Sequence, residues 1–156
     1  MNIRDRTIII LSTFFYIGYL PFIPGTFGSI FGILIFYFIK KDIYIYLSFT
    51  LILTILGLLV AERAEKIFDK KDSRCIVIDE VVGMLLSLIF MPYYDIKVII
   101  CAFLVFRILD AVKPYPASQL QSLKGGLGVM TDDIVAGFYT NIVVQIALRL
   151  ASFKTS

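Results

Sequence analysis

Long apolar runs separated by short polar stretches dominate the sequence. Residues 43–60 form a run of eighteen residues without a charge, bounded by Lys40–Lys41 on one side and by Glu62 on the other. At a rise of about 1.5 Å per residue, a helix of this length covers about 27 Å, close to the roughly 30 Å hydrocarbon core of a bilayer. The run therefore predicts a membrane-spanning helix.

The other apolar runs are shorter or interrupted. Residues 7–39 carry no charge, and the segment around Pro21, Pro24 and Gly25 divides them into two short helices joined by a loop. Further apolar helices are predicted from residue 76 to Pro92, over residues 96–110 and over Ile134–Leu148. Strand-like alternation is absent, so we predict one all-α domain over residues 1–156, a membrane-embedded bundle of about five or six helices, several of them short.

Composition supports a membrane protein and narrows the chemistry. The chain is 59% hydrophobic and 17% charged, whereas soluble domains are about 25% charged; the alternative is a very apolar soluble helical domain. The net charge of +3 is spread along the chain, which argues against nucleic acid as a partner. Histidine is absent and the two cysteines are isolated. Chemistry must therefore use carboxylates, Lys, Arg, hydroxyls or metal-bound water.

Two pairs of adjacent carboxylates stand at the starts of apolar runs. Asp79–Glu80 opens one run, and Asp132–Asp133 opens another after Thr131. Carboxylates in a first helical turn can cap free N–H groups, so each pair alone is explained equally well by capping or by a functional site. Arg107 and Asp110 lie three residues apart, where helical side chains form ion pairs.

Taken together, the polar segments indicate a shared site. Each borders an apolar helix, and they comprise residues 24–29, 73–80, 107–114 and 124–133. If these loops meet at one membrane face, their carboxylates can hold Mg²⁺ and their cations can neutralise phosphate oxygens. The glycines in the first and last segments would let backbone N–H groups approach an anion closely.

Four stretches resemble the phosphatidylglycerophosphatase A family of bacterial membrane lipid phosphatases. They are PFIPGTFGS (21–29), IVIDEVVGM (76–84), FRILDAVKPYP (106–116) and GGLGVMTDDIVAG (125–137), in the family's order. The resemblance implies a Mg²⁺-dependent phosphatase that converts the lipid phosphatidylglycerophosphate to phosphatidylglycerol. It also implies a multi-pass protein of the bacterial inner membrane with its site at the cytoplasmic face.

The polar positions that match these motifs supply the predicted site. The predicted catalytic residues are Asp79, Glu80, Arg107, Asp110, Lys113, Asp132 and Asp133. The predicted Mg²⁺ ligands are Asp79, Glu80, Asp132 and Asp133, with Asp79 as the first choice. The predicted phosphate-binding residues are Thr26, Gly28 and Ser29, together with Arg107 and Lys113.

Two other functions compete with this interpretation. One is another membrane phospholipid phosphotransferase or phosphatase, although the D-x2-D-G-x2-A-R pattern of CDP-alcohol phosphotransferases is absent. The other is a non-catalytic transport or scaffold subunit whose acids bind ions or protons. The acids stand at segment ends beside glycines and cations, which favours a phosphatase. The sequence leaves the oligomeric state open.

Overall fold

The computed structural model describes residues 2–153, which form seven α-helices, one short 3-10 helix and no strand. The all-α prediction and the approximate number of helices are confirmed. The α-helices are α1 (Ile3–Ser12), α2 (Pro24–Ile39), α3 (Ile43–Phe68), α4 (Ile78–Ser87), α5 (Ile96–Val112), α6 (Ala117–Leu120) and α7 (Gly126–Phe153), and the 3-10 helix is Ile17–Tyr19.

Helix α4 is the centre of the bundle. It has ten residues, and all of them except Glu80 are buried, because α2, α3, α5 and α7 pack around it. A Cβ built on Gly137 of α7 would lie 2.5 Å from the carbonyl oxygen of Gly83 in α4. Real Cβ contacts are longer, so these two glycines bring the backbones of α4 and α7 into direct contact. The acids of the two helices are thereby held close together.

Helices α3 and α7 are long and apolar enough to cross a membrane, as far as residues 2–153 show. Only 28% and 22% of their most apolar windows are buried inside the bundle. Leu51 and Ile55 of α3 and Ile142 and Ile146 of α7 are among the exposed apolar side chains. Apolar surface on this scale marks contact with lipid or with another protein. The predicted span over residues 43–60 lies within α3.

The helices alternate in direction, which defines two ends of the bundle. Helices α2, α4 and α7 begin, and α3 and α5 finish, at the end that we call the site end. Contacts between helix termini show this arrangement: a Cβ on Gly25 would touch Glu80 and Arg107, and a Cβ on Gly125 would touch Glu62.

Two segments predicted as loops are helical, which corrects the sequence analysis. Residues 24–29 form the first turns of α2, and residues 126–133 form the first two turns of α7. Asp132 and Asp133 therefore lie beyond the first turn, so capping does not explain them. The physical reason is close packing: a Cβ on Gly126 would lie 2.0 Å from the Leu58 carbonyl oxygen, so this glycine serves helix contact instead of a turn. Asp79 and Glu80 do lie in the first turn of α4, as predicted.

We expect Gly137→Ala to lower the free energy of unfolding by about 1–3 kcal/mol, because the added methyl group must push α4 and α7 apart. The measurement is equilibrium unfolding in mixed micelles followed by circular dichroism. Val143→Ala, on the exposed face of the same helix, is the matched control and should unfold like the unchanged protein. Equal stability of Gly137→Ala and the control would contradict the proposed backbone contact.

Candidate active site

The first turn of α4 and the second turn of α7 bring three carboxylates together. The loop before α4 is fixed by the Val77 N–H, which donates to the Ser12 carbonyl oxygen over 3.0 Å. Asp79, Glu80 and Asp133 each place a carboxylate oxygen within 4.8 Å of the other two. Asp79 and Asp133 are buried, and Glu80 is half-buried. Residues 54 positions apart in sequence thus form one acidic group.

This group has the properties of a divalent cation site. All of its donor atoms are oxygens, which Mg²⁺ and Ca²⁺ prefer. Glu80 Oε2 is buried and has no hydrogen-bond partner in the described part of the chain, and such an atom requires a donor or a cation. The charge of Asp110 also acts on Asp133. The residues present therefore fit a bound divalent cation.

The electrostatics of α4 support the same conclusion. Burial raises the pKa of Asp79 well above its ordinary value, and the neighbouring charges of Glu80, Asp133 and Asp132 raise it further. Burial likewise raises the pKa of Glu80, although its hydrogen bond with Asp79 and the charge of Arg107 act in the opposite direction. A cation held among these oxygens would relieve the repulsion and keep the carboxylates ionised.

Two ion pairs border the acidic group. Arg107 Nη1 lies 2.9 Å from Asp110 Oδ2 on α5, as the three-residue spacing predicted. Lys113, which caps the end of α5, pairs with Asp132 of α7. Burial alone would lower the pKa of Lys113, but its hydrogen bond and charge interaction with Asp132 raise it above the ordinary value.

Asp132 differs from the other three predicted metal ligands in its position. It pairs with Lys113 and is not a member of the three-carboxylate group. Its second oxygen, Oδ1, is buried without a hydrogen-bond partner among residues 2–153. Asp132 and Asp133 therefore have different partners, because adjacent side chains on a helix point about 100° apart.

The start of α2 lies against the same group. A Cβ on Gly25 would lie 2.1 Å from Glu80 Oε1 and 3.4 Å from Arg107 Nη2, so only glycine leaves room for both side chains. A Cβ on Gly28 would lie 3.0 Å from the Val77 carbonyl oxygen and 3.4 Å from Glu80 Cβ. The N–H of Thr26 donates to the Ile23 carbonyl oxygen, and the Ser29 hydroxyl donates to the Gly25 carbonyl oxygen over 3.0 Å.

These contacts reduce the number of hydrogen-bond donors that the start of α2 can offer to an anion. The Thr26 N–H and the Ser29 hydroxyl already have partners within α2 and the residue before it, so neither is a free donor. The positive end of the α2 dipole still points toward the site. A role for Thr26, Gly28 and Ser29 in phosphate binding remains a prediction.

A polar network that no motif indicated lies at the edge of the site. Gln121 Nε2 donates to Asp72 Oδ2 over 2.8 Å, and the Asp72 N–H donates to Glu65 Oε1 over 2.7 Å. The Asp72 charge acts on both Lys113 and Asp132. The network joins the end of α3, the loop before α4 and α6. Asp72 stands in a charged loop, and Gln121 carries no signal in the sequence that separates it from other polar residues.

The family can be assigned at this point. The family model described as phosphatidylglycerophosphatase A matches residues 10–148. The chain belongs to the phosphatidylglycerophosphatase A family. A protein named phosphatidylglycerophosphatase A from Escherichia coli (strain K12) is 35% identical over 133 residues, which cover 82% of this chain and 76% of that relative. The protein of the same name from Haemophilus influenzae is 33% identical over 124 residues, covering 78% and 76%.

A third relative has a different name. A protein from Bacteroides thetaiotaomicron, provisionally named as a phosphatidylinositol-3-phosphatase, is 34% identical over 151 residues, covering 89% of this chain and 92% of the relative. No solved structure matches the chain. The family membership confirms the resemblance seen in the motifs. Together with the apolar faces of α3 and α7, it identifies a membrane-associated protein.

The Lys113–Asp132 pair gives a stability prediction. Lys113→Gln leaves the Asp132 carboxylate buried without its cation, and we expect the free energy of unfolding to fall by about 3 kcal/mol, the low end for a buried pair. The low end applies because a quarter of the Lys113 side chain is exposed. Adding Asp132→Asn should recover part of the loss.

The control for this prediction is the Lys66–Glu62 pair, whose side chains are 72% and 55% exposed. Lys66→Gln should cost less than about 1 kcal/mol. Chemical unfolding of the three variants and of the unchanged protein in micelles tests the difference, and equal losses for Lys113→Gln and Lys66→Gln would show that the Lys113 pair is solvated.

Proposed function

We propose that this protein is a lipid phosphatase that hydrolyses the terminal phosphomonoester of phosphatidylglycerophosphate, giving phosphatidylglycerol and inorganic phosphate. The observation that carries the proposal is the meeting of Asp79, Glu80 and Asp133 beside the Arg107 and Lys113 ion pairs, at one end of an apolar bundle. Membership of the phosphatidylglycerophosphatase A family supports the substrate.

The three-carboxylate group is the proposed cofactor site. Asp79, Glu80 and Asp133 would hold Mg²⁺, which when bound supplies charge neutralisation and Lewis acidity for phosphate-ester hydrolysis. Five carboxylates stand beside only two cations in this part of the bundle. A phosphorylated headgroup, itself an anion, would be repelled unless the excess negative charge were neutralised.

The side chains around this group have different roles in the proposed hydrolysis. Arg107 and Lys113 bind the non-bridging phosphate oxygens, where positive charge stabilises the transition state. Water attacks the phosphorus atom, and the bond from phosphorus to the glycerol oxygen breaks. That oxygen leaves as the alcohol after taking a proton from solvent, and the catalytic carboxylate later releases the proton that it accepts from the attacking water. We assign the water's proton to Asp132, whose Oδ1 has no partner in the described chain while Oδ2 is fixed by Lys113. Gly25 keeps the start of α2 close enough to hold Glu80 and Arg107 in place.

Charge distribution supports a cytoplasmic site at the bacterial inner membrane. The site end carries the exposed cations Arg63, Lys66, Lys70, Lys71 and Lys124, and the exposed Arg4 lines the same surface cavity as Arg63. Among the described residues, the opposite end carries fewer exposed cations, namely Lys41, Lys97 and Arg149. Segments with more Lys and Arg stay on the cytoplasmic side.

Removal of one carboxylate tests the chemistry. Asp79→Asn should abolish phosphate release from phosphatidylglycerophosphate in detergent micelles while the helical content stays unchanged, because the cation loses a central ligand. EDTA should abolish release by the unchanged protein, and added Mg²⁺ should restore it. Asp95→Asn, an exposed acid at the start of α5 on the opposite end, is the control and should keep full activity. Full activity of Asp79→Asn, or in excess EDTA, would refute the proposal.

Substrate choice requires a separate comparison, because one relative is named for a phosphoinositide. We expect kcat/KM for phosphatidylglycerophosphate to exceed that for phosphatidylinositol 3-phosphate at least tenfold. In phosphatidylglycerophosphate, a flexible primary alcohol carries the phosphate. In phosphatidylinositol 3-phosphate, a ring carries it, and the ring needs more room beside Gly25 and Arg107. A higher kcat/KM for the inositol lipid would reverse the assignment. Failure of the folded protein to release phosphate from either lipid would favour the transport or scaffold alternative.

A further inference from the structure

A groove rich in lysine lies at the site end, outside the acidic group. Its volume is about 430 Å³. We call it the lysine groove, and its lining residues are Glu65, Lys66, Asp69, Lys70, Lys71, Lys124 and Gly125. The function proposed above uses none of them.

The lysine groove carries more positive than negative charge, because four lysines and two acids, Glu65 and Asp69, line it. Lys66 pairs with Glu62, and the Glu65 carboxylate accepts the Asp72 N–H. Lys70, Lys71 and Lys124 are exposed, and none of them has a carboxylate partner among residues 2–153. Three free ammonium groups that line one cavity attract an anionic ligand from outside the chain.

The position of the groove identifies the ligand. It lies between the site ends of α3 and α7, the two helices that can cross a membrane. The predicted span within α3 ends at Val60, and Lys66 lies about 9 Å further along the axis at about 1.5 Å per residue. The headgroups occupy the layer just outside the hydrocarbon core. The lysines are thus at the level where the phosphates of a bilayer lie.

We propose that the lysine groove binds the headgroups of anionic phospholipids next to the site. Charge complementarity favours these lipids over zwitterionic ones, since lysines near a membrane surface attract anionic lipids individually. Lys71 also lines the adjacent polar cavity with Asp72, Ser118, Gln121 and Ser122, and Asp72 acts electrostatically on Lys113. The groove therefore gathers anionic lipids at the edge of the site, and it does so whether or not the site hydrolyses them.

Native mass spectrometry of the full chain tests this binding. The protein is held in micelles that contain equal amounts of phosphatidylserine and phosphatidylcholine. The unchanged protein should retain phosphatidylserine preferentially. In the double variant Lys70→Gln/Lys124→Gln, this preference should fall about fivefold for each lysine removed. The double variant Lys41→Gln/Lys97→Gln removes two exposed cations from the opposite end and should keep the preference. Retention of the preference by the first variant, or an equal loss in both variants, would overturn the proposal.

A second measurement separates this proposal from the proposed catalysis. Phosphate release by both double variants is measured in a neutral detergent, where kcat should equal that of the unchanged protein because neither variant alters the acidic group. Inorganic phosphate is added as a competitor in the mass spectrometry. Displacement of phosphatidylserine by equimolar phosphate would show a site for free anions and would contradict lipid recognition.

Discussion

Mutual repulsion among neighbouring carboxylates dominates the electrostatics at the site end of the bundle. Asp79, Glu80 and Asp133 lie within one group, and Asp110 and Asp132 stand beside it. Arg107 and Lys113 each pair with one acid at its border, but no cation in the described part of the chain forms an ion pair with Asp79, Glu80 or Asp133. A bound cation would relieve this repulsion and keep the carboxylates ionised, which suits the proposed phosphate chemistry.

The helices packed around the group hold its carboxylates close together. The short α4 is buried on every side, so its acids have few ways to turn toward water. Gly83 and Gly137 bring α4 and α7 together, and Gly25 brings α2 onto Glu80. The outer helices present apolar surfaces, so the same bundle can rest in lipid while its charged end faces headgroups. Packing, membrane association and the candidate chemistry thus follow from one arrangement of glycines and acids.

The sequence reveals much of this fold because charge-free runs and proline breaks are local signals. The span within α3 and the break around Pro21 and Pro24 were predicted in this way. The early start of α7 was not, because glycines at 125, 126 and 128 look like a loop until the neighbouring Leu58 backbone is known. Similarly, the different partners of Asp132 and Asp133 depend on which helices pack against α7. The Asp72–Gln121 contact joins residues 49 apart, and no local pattern predicts such a pair.

The most direct test of the central claim is the position of a bound ion. Crystals grown with Mn²⁺ in place of Mg²⁺ would be measured for anomalous scattering. We predict one strong anomalous peak among the Asp79, Glu80 and Asp133 carboxylates. In Asp133→Asn the peak should disappear while the fold stays the same. A peak elsewhere in the bundle, or an ion-free group whose oxygens are satisfied by protein donors, would contradict the account.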